Sequence, residues 1–313
     1  MMNKSIRPLH VATDLYQIAD LLSICFSDSM DEDGERYIAY LRQFSQSLLF
    51  TKIAERYPEK YSLPGEGFVY EDGGRVVGNI TLSPMKFEDE TVYLISNVAV
   101  EPEHRGRGIA KLLTQTALRY VECKGVKQVW LQVKQGNQAA IKLYDQLDFQ
   151  SFMVRTTWMR KKTNVFLKRP EKFALRKRKK GEWKIQRELL ESTYPVELTA
   201  AYEFEIASVQ PNLKRTIRDF FLSRVTLHWA AEINEQLGFV SYASLQDQSY
   251  VNLWIAAPVG YEQQFLKTLV PAVQARLGKE VRLNYPQHEY GDCFHELGMQ
   301  ELNTLVWKRK YLV

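Results

Sequence analysis

The chain has 313 residues, of which 45% are hydrophobic and 25% are charged, and its formal net charge is +5 at pH 7. This composition is typical of globular proteins, and the length suits two domains better than one. The sequence lacks a stretch of 18 uncharged apolar residues, and its start lacks the apolar core of a signal peptide, so we expect a cytoplasmic protein without membrane insertion. Cys25, Cys123 and Cys293 are odd in number and widely spaced, which favours neither a disulfide framework nor a metal site.

The N-terminal part carries the apolar spacing of two helices. The first is predicted over Thr13–Phe26, with Thr13 as a plausible cap, because Leu15, Ile18 and Leu22 recur on one face. The second is predicted from about Glu35 to Tyr57. Between them lies a loop rich in acids, residues 28–35.

Strands are predicted next. Residues 67–83 alternate in polarity around Asp72, Gly73 and Gly74, which accept positive φ angles, so we expect a hairpin. A further strand is expected over Val92–Val100, a nearly continuous apolar run.

Residues 104–110, HRGRGIA, connect this strand to an amphipathic segment that starts near Arg107. Gly106 and Gly108 allow the backbone to approach a ligand closely, and the unpaired N–H groups of a helix start favour phosphate. Arg105 and Arg107 add positive charge. The segment therefore predicts an anion cradle, while a tight connection with a solvated basic edge is the plainer alternative.

The segment after the next predicted strand, Val129–Val133, makes the interpretation more specific. It reads GNQAAIKLYDQLDF over residues 136–149. Together the two segments resemble the GNAT superfamily of acetyl-CoA dependent N-acetyltransferases, whose pattern is Arg/Gln-x-x-Gly-x-Gly/Ala followed by Asn-x-x-Ala-x-x-x-Tyr-x-x-x-Gly-Phe. The matching positions are Arg105, Gly108, Ala110, Asn137, Ala140, Tyr144 and Phe149. Asp148 stands where the family usually has glycine, and aspartate tolerates a left-handed backbone better than most residues. The resemblance covers residues 65–160.

The resemblance implies an α/β (α+β) fold and acetyl-CoA (coenzyme A) as the acyl donor. In the family, a splayed or bulged strand before the cradle offers main-chain groups to the pantetheine arm and the thioester oxygen. The implied donor-binding residues are Val98, Ala99, Val100, Arg105, Gly106, Arg107, Gly108, Ile109, Ala110, Asn137 and Tyr144.

The resemblance also implies roles in catalysis. Tyr144 takes the place of the general acid, since a phenol with a pKa of about 10 stays protonated at neutral pH and can donate to a nascent thiolate. A buried core tyrosine is the alternative. Asn137 is expected to cap its helix while its amide reaches the donor arm, with a pure cap as the alternative.

The general base is the open part of this interpretation. Many relatives carry a carboxylate on the strand before the cradle, where this chain has Ser96 and Asn97. A water held by Ser96 could relay the proton to residues 88–90 or 31–33, which are acidic but could equally be solvated. His104 is a weaker candidate, because the family places this position on the outer side of the loop.

A strongly basic run separates two acidic parts of the chain. Between Arg160 and Arg187 there are thirteen Lys and Arg against two acids, a local balance of +11, so that the rest of the chain sums to −6. The run has almost no helical or strand periodicity and predicts a solvated, partly extended connector. A footprint for RNA, ribosome or anionic membrane is the functional alternative.

The C-terminal part repeats the first in altered form. Residues 143–149, LYDQLDF, resemble residues 293–299, CFHELGM, at an offset of 150, but the cradle is replaced by VGYEQQF at 259–265. The tyrosine position holds Phe294. We expect this copy not to bind acetyl-CoA productively.

These observations predict two GNAT-like domains, each with a central mixed twisted sheet flanked by helices. The expected limits are 1–162 for the acetyltransferase domain, 163–186 for a basic linker and 187–313 for the degenerate copy. Only one strand is evident after the Tyr144 helix, where the family usually has two. We therefore expect the two copies to meet through their sheets, one supplying edge pairing to the other or walling its acceptor cleft.

The expected function is transfer of an acetyl group to a primary amine by direct attack in a ternary complex, with a small-molecule amine or a peptide N-terminus as acceptor. The alternative is a non-catalytic CoA-binding or nucleic-acid-associated module that uses the basic linker. The sequence predicts no metal site and leaves the oligomeric state open.

Overall fold

A computed structural model describes residues 5–47, 51–53, 56, 63–162, 175–195, 197, 206, 224–245, 249–287 and 289–312. They form two compact units. The first unit contains the described residues up to Phe152 together with those from Trp307 onward, and the second contains those from Met153 to Val306. The chain therefore leaves the first unit after Phe152 and returns to it for its last strand.

The first unit contains both strands and helices. Its elements are β1 (Ile6–Pro8), α1 (Val11–Phe26), α2 (Glu32–Ser45), β2 (Glu66–Asp72), β3 (Arg75–Phe87), β4 (Glu90–Val100), α3 (Ile109–Cys123), β5 (Gln128–Lys134) and α4 (Gln138–Asp145). Strand β6 (Gln150–Arg160) begins in this unit and continues into the second. The last strand of the chain, β12 (Gln300–Tyr311), ends in the first unit.

The sheet of the first unit has the order β1-β2-β3-β4-β5-β12. Strands β1 to β4 pair antiparallel, whereas β4 and β5 pair parallel. Apolar residues of α1 and α2 pack on one side of this sheet around Leu15, Ile18 and Leu41, all at most 1% exposed. The predicted α/β class with a mixed sheet is confirmed.

Helix α1 begins two residues earlier than predicted, at Val11, so Thr13 is not its cap. The N-cap is His10, whose N–H donates to the Asp14 carboxylate at 2.9 Å. Asp14 is 1% exposed and also accepts from Arg7 at 2.7 Å. Burial would raise the pKa of Asp14, but the hydrogen bonds from Arg7 and His10 together lower it. The Arg7 guanidinium on β1 therefore stabilises the first turn of α1 through its ion pair with Asp14.

Helix α2 ends at Ser45, and the predicted continuation to Tyr57 lies largely outside the described residues. No described helix is both long and apolar enough to span a membrane. Among the described residues, His, Cys, Asp and Glu side chains form no group that could hold a metal ion.

The second unit contains the rest of β6 and a similar series of elements. They are β7 (Arg176–Lys177), α5 (Trp183–Thr193), β8 (Arg224–Ile233), β9 (Gln236–Leu245), β10 (Tyr250–Ala256), α6 (Glu262–Leu277), β11 (Glu280–Pro286), α7 (Gly291–Glu296) and the first part of β12. Their sheet order is β12-β6-β11-β10-β9-β8-β7. Its core contains Trp158 stacked on Phe294, with ring centroids 4.9 Å apart.

The internal repeat is confirmed by backbone geometry. After α4, Asp148 has a φ of 61° and Phe149 N–H donates to Tyr144 O; after α7, Gly298 has a φ of 69° and Met299 N–H donates to Phe294 O. Strand, helix, strand, short helix, strand thus occur twice in the same order. The left-handed conformation expected of Asp148 is present.

Part of the basic run is folded, contrary to the predicted connector. Strand β7 pairs with β8, and Arg176 of β7 binds Glu182 at 2.7 Å just before α5 begins. The two strands share only two residue pairs, and a periodicity cannot be detected over so short an element. Residues 163–174 lie outside the described part. The domain limits at 162 and 187 stay a prediction.

Candidate active site

Strand β4 contains a bulge near its end. Its pairing with β3 is regular up to Ser96 opposite Thr81 and resumes at Ala99 opposite Asn79, which leaves Asn97 and Val98 opposite the single residue Ile80. Asn97 has a φ of 52°, a left-handed conformation that asparagine accepts more readily than most residues. The bulge turns the Val98 main chain out of the regular ladder. It lies on the strand for which the family resemblance implied a splayed or bulged form.

Asn79 of β3 holds the bulge in place, and sequence reasoning missed it. Its side chain is 0% exposed, and its amide donates to Asn97 O at 2.9 Å. Its own Oδ1 is buried and has no hydrogen-bond partner among the described residues. A polar residue inside the apolar run VVGNITL was the available signal, because burying an amide group costs free energy unless the group is hydrogen-bonded.

Strands β4 and β5 separate next to the bulge. Their parallel ladder runs from Tyr93 opposite Val129 to Ile95 opposite Leu131, whereas β4 continues to Val100 and β5 to Lys134. The main-chain groups of β4 after Ile95 consequently face a gap between two diverging strands. A ligand arm entering this gap can be bound by backbone N–H and C=O groups.

The predicted cradle lies at the end of β4 and starts α3. Gly106 and Gly108 have φ angles of 76° and 75°, and Gly108 is the N-cap of α3. A Cβ atom added at either glycine would meet no atom within 4 Å, so the space in front of the turn is open. The first bond of the helix runs from Leu112 N–H to Gly108 O, which leaves the N–H groups of residues 109–111 at its start for an anion.

Arg105 and Cys25 fix the junction between β4 and the cradle. The Arg105 Nε and the Cys25 Sγ both donate to Val100 O, at 3.0 and 3.2 Å. Arg107 donates to Glu103 O at 3.2 Å. The two arginine side chains therefore stabilise the loop by hydrogen bonds to its main chain and also supply positive charge. The Val100 carbonyl already accepts two hydrogen bonds.

Tyr144 and Asn137 lie on α4, directly after β5. Tyr144 is 5% exposed and packs edge-on against Phe149, with ring centroids 5.7 Å apart. Burial raises its pKa to about 12. Asn137 is the N-cap of α4, because its Oδ1 accepts from Ala140 N–H at 3.1 Å. The capping part of that prediction is confirmed; the reach of its amide to a donor stays a prediction.

A polar group from α2 meets the bulge. The Asn97 side chain forms a hydrogen bond with the hydroxyl of Tyr37. Burial raises the pKa of Tyr37 above its usual value, and this hydrogen bond offsets only part of the rise. Ser96, half-buried, precedes Asn97 on the same strand. Sequence reasoning does not identify Tyr37 as a site residue, since the sequence does not indicate which residue of β4 a side chain of α2 meets.

Glu90 and the acidic residues 31–33, which were considered as distant bases, have other partners. Glu90 binds Lys127 at 2.6 Å and lies six residues before Ser96, about 20 Å along an extended strand. This distance is too long for a relay through one water. In the second group, Asp31 caps α2 by accepting from Gly34 N–H at 3.0 Å, and Asp33 binds Arg36 at 2.6 Å.

His104 faces away from the gap. Its Nε2 lies 3.3 Å from the carboxylate of Asp72, the last residue of β2. Its Nδ1 lies 3.0 Å from the Glu101 carboxylate, without the alignment of a hydrogen bond. This position is consistent with His104 being a weaker candidate for the general base.

The corresponding region of the second unit is built differently. Strands β9 and β10 pair continuously from Ala243 opposite Asn252 to Phe239 opposite Ala256, with no shift of register. The N–H of Ile255, near the end of β10, donates to the Tyr194 hydroxyl at 3.2 Å. Tyr194 is 1% exposed, and burial raises its pKa to about 12. In the second unit, the Tyr194 hydroxyl therefore already accepts a hydrogen bond from the main chain of β10, the strand that corresponds to the bulged strand β4.

Comparisons with known proteins agree with this geometry. Residues 16–149 match the model of the acetyltransferase (GNAT) family. N-acetyltransferase 8 of Mus musculus is 33% identical over 125 residues, which cover 38% of this chain and 55% of that protein. The chain thus spans about half the length of this curated relative.

Solved structures match over nearly the whole chain. A GCN5-related N-acetyltransferase from Sphaerobacter thermophilus has a TM-score of 0.64 at 13% identity and covers 99% of this chain and 97% of its own. A tandem GNAT protein from the clavulanic acid biosynthesis pathway has a TM-score of 0.55 at 14% identity and covers 98% of each chain. Residues 16–149 are therefore similar to the GNAT family of acetyltransferases, and over its length the chain has the fold of a tandem GNAT protein.

Proposed function

We propose that the first unit is an acetyl-CoA dependent N-acetyltransferase that acetylates a primary amine. The observation that carries the proposal is the convergence of three features at the end of β4: the bulge at Asn97, the separation of β4 from β5, and the glycine cradle at the start of α3. A thioester, an extended pantetheine arm and a diphosphate need these three features in this order.

Residues 105–110 are assigned to the diphosphate of acetyl-CoA. The open space at Gly106 and Gly108 admits phosphate oxygens to the N–H groups at the helix start, and the side chains of Arg105 and Arg107 add charge. The main chain of Val98, Ala99 and Val100 is assigned to the pantetheine arm. Val98 is the main candidate, because it lies outside the ladder whereas the Val100 carbonyl already accepts two bonds.

Asn137 would add an amide hydrogen bond to the same arm from the opposite side of the gap. Its Oδ1 is used in capping, so its Nδ2 is the group left for the ligand.

The reaction forms a bond between the amine nitrogen and the acetyl carbon and breaks the bond from that carbon to sulfur. The Tyr144 hydroxyl donates its proton to the departing thiolate, and the main chain of the bulge stabilises the oxyanion. The amine loses its proton to a water molecule held by Ser96. Tyr144 regains the proton of its hydroxyl from solvent. Burial suits Tyr144 to the acid role, because a raised pKa keeps its proton in place.

Tyr37 and Asn97 mark the acceptor side. They present a hydroxyl and an amide beside the bulge, which can accept a hydrogen bond from a neutral amine and donate one to a neighbouring carbonyl or hydroxyl. A small-molecule amine and a peptide N-terminus both fit this description. A peptide N-terminus has an amine pKa of about 8 and requires less help from a base than an alkyl amine.

The test has two readouts. Because a ligand that binds the native state stabilises it, acetyl-CoA at 100 times its Kd should raise the free energy of unfolding by about 2.7 kcal/mol. CoA release should then be measured over amino acids, peptides, polyamines and aminoglycosides. Stabilisation with turnover of at least one amine supports the proposal. Failure of acetyl-CoA to stabilise the protein contradicts it.

A non-catalytic CoA-binding module is the second candidate. It is favoured by Ser96 and Asn97, which stand where many relatives carry a carboxylate, and by the structural engagement of the acids at 31–33 and 90. Stabilisation by acetyl-CoA without release of CoA for any amine would support this candidate. The nucleic-acid alternative has less support, since Arg176 and Arg178 of the basic run are bound by Glu182 and Gln186.

A further inference from the structure

The last strand of the chain brings a buried charge to the helix that carries Tyr144. Lys308 lies on the part of β12 that belongs to the first unit, and its side chain is only 3% exposed. Its Nζ donates to the Asp145 carboxylate at 2.6 Å. A lysine is seldom buried to this extent unless its ammonium is paired, because removing the charge from water is costly.

Asp145 is the residue after Tyr144 and the last residue of α4. The helix has only eight residues, so its end is held by few intrahelical bonds. A cation at this position pairs with Asp145 and also favours the carbonyl groups at the helix C-terminus. The contact therefore fixes the end of α4 from which the Tyr144 side chain projects.

A second lysine on the same strand provides a comparison. Lys310 lies 3.3 Å from Asp148, but the side chains are 21% and 87% exposed. Such an exposed pair contributes little to stability or position. Asp148 also lies beyond the end of α4, in the turn that leads to β6.

We propose that Lys308 is a positioning residue for the acyl transfer: through Asp145 it sets where the Tyr144 hydroxyl lies. The inference rests on the proposed function and on the acid role of Tyr144. Its consequence is that a residue encoded in the second half of the chain controls the chemistry of the first unit. It also gives the C-terminal strand a role beyond pairing.

The experiment compares Lys308→Met with Lys310→Met in the full-length protein. Methionine keeps the length and apolar body of lysine and removes the charge. We expect Lys308→Met to lower kcat by about tenfold or more with little change in the KM for acetyl-CoA, since a small misplacement of a catalytic group is costly. Lys310→Met should leave both values near those of the wild type.

A double-mutant cycle with Tyr144→Phe distinguishes positioning from general destabilisation. If Lys308 acts through the hydroxyl, Lys308→Met should lower kcat only when Tyr144 is present and should have little effect in the Tyr144→Phe protein. An equal loss in both backgrounds would overturn the proposal, and so would equal effects of the two lysine variants.

Asp145→Asn is the second route, should Lys308→Met fail to fold. It weakens the same contact from the side of Asp145, whose side chain is 53% exposed, and the same cycle with Tyr144→Phe applies. Wild-type turnover of an amine separates the two levels of failure. If the wild type is active and the effects of the Asp145 or Lys308 substitution and Tyr144→Phe on kcat are additive, only the role of Lys308 is refuted. If the wild type binds acetyl-CoA but turns over no amine, the proposed function is refuted.

Discussion

Tyr144 combines a buried ring with a raised pKa, and both properties follow from its place on α4. Phenylalanine keeps the ring and its contact with Phe149 but removes the hydroxyl. We expect Tyr144→Phe to fold normally and to lower kcat by about a hundredfold, a typical contribution of a general acid. Steady-state rates of CoA release measure this effect, and an unchanged kcat would remove the acid role.

The pKa of Tyr144 also predicts a pH dependence. The folded value of about 12 lies above the unfolded value of about 10, so the stability that this group contributes is present below pH 10 and is lost as the pH rises toward 12. Up to pH 10 the hydroxyl stays protonated, and it should cause no fall in kcat. A wild-type rate that falls between pH 8 and 10, with no such fall in Tyr144→Phe, would contradict the raised pKa.

Gly108 is tested best against Gly125, which has a φ of 72° and equally open space but lies after α3 rather than before it. Alanine should cost each site about 1 kcal/mol of folding stability, since both need a left-handed backbone. Only Gly108→Ala places a methyl group in the cradle, and we expect it to weaken acetyl-CoA binding at least about tenfold, or about 1.4 kcal/mol. Calorimetric titration of both variants checks this, and equal affinities would refute the cradle assignment.

The sequence predicts residues of the site when their role depends on the backbone or on a spaced motif. Gly108, Asn137 and Tyr144 stand at motif positions: Gly108 is the N-cap of α3, Asn137 is the N-cap of α4, and Tyr144 lies on α4. Asn79 and Tyr37 could not be predicted in this way, because their roles depend on which residue of β4 faces them after the bulge. A one-residue change of register moves every side chain to the other face.

Among the elements, α1, β4 and β5 follow local patterns and begin and end within about two residues of their predicted limits, whereas α2 ends at Ser45, before the predicted Tyr57. The destination of β12 was not predicted in detail. Its pattern, LVWKRK, indicates a strand but carries no information on the sheet that receives it. Edge pairing had been expected, and Leu312 N–H donates to Lys127 O at 2.8 Å within the first unit.

Removal of residues 307–313 should therefore destabilise the first unit. The deletion takes away Trp307, which is 0% exposed, and leaves the β5 edge without its neighbour. Loss of a buried tryptophan alone costs about 3–5 kcal/mol, a large part of the stability of an ordinary domain. Thermal and denaturant unfolding measure the loss, with Tyr311→Ala, an exposed position on the same strand, as the control.

A chain cut after residue 165 provides the sharper form of this prediction. It lacks the whole of β12, and we expect it to be unstable and inactive. A fragment that is stable, binds acetyl-CoA and turns over an amine would show that the C-terminal strand is dispensable.

At the scale of the whole molecule, the two similar units differ at the strand that precedes α3 in the first unit and α6 in the second. The first unit has a bulge in β4 and a cradle with two glycines, whereas the second has a continuous β9–β10 ladder and a tyrosine hydroxyl bonded to the main chain near the end of β10. The second unit repeats the fold of the first without its bulge and its cradle. One donor site per chain is the expected consequence.

Titration calorimetry of the full-length protein with acetyl-CoA tests this account most directly. We predict a stoichiometry of one acetyl-CoA per chain for the wild type, the same stoichiometry for Gly125→Ala, and an affinity at least about tenfold weaker for Gly108→Ala. A stoichiometry of two, or binding that Gly108→Ala leaves unchanged, would contradict a single donor site at the end of β4.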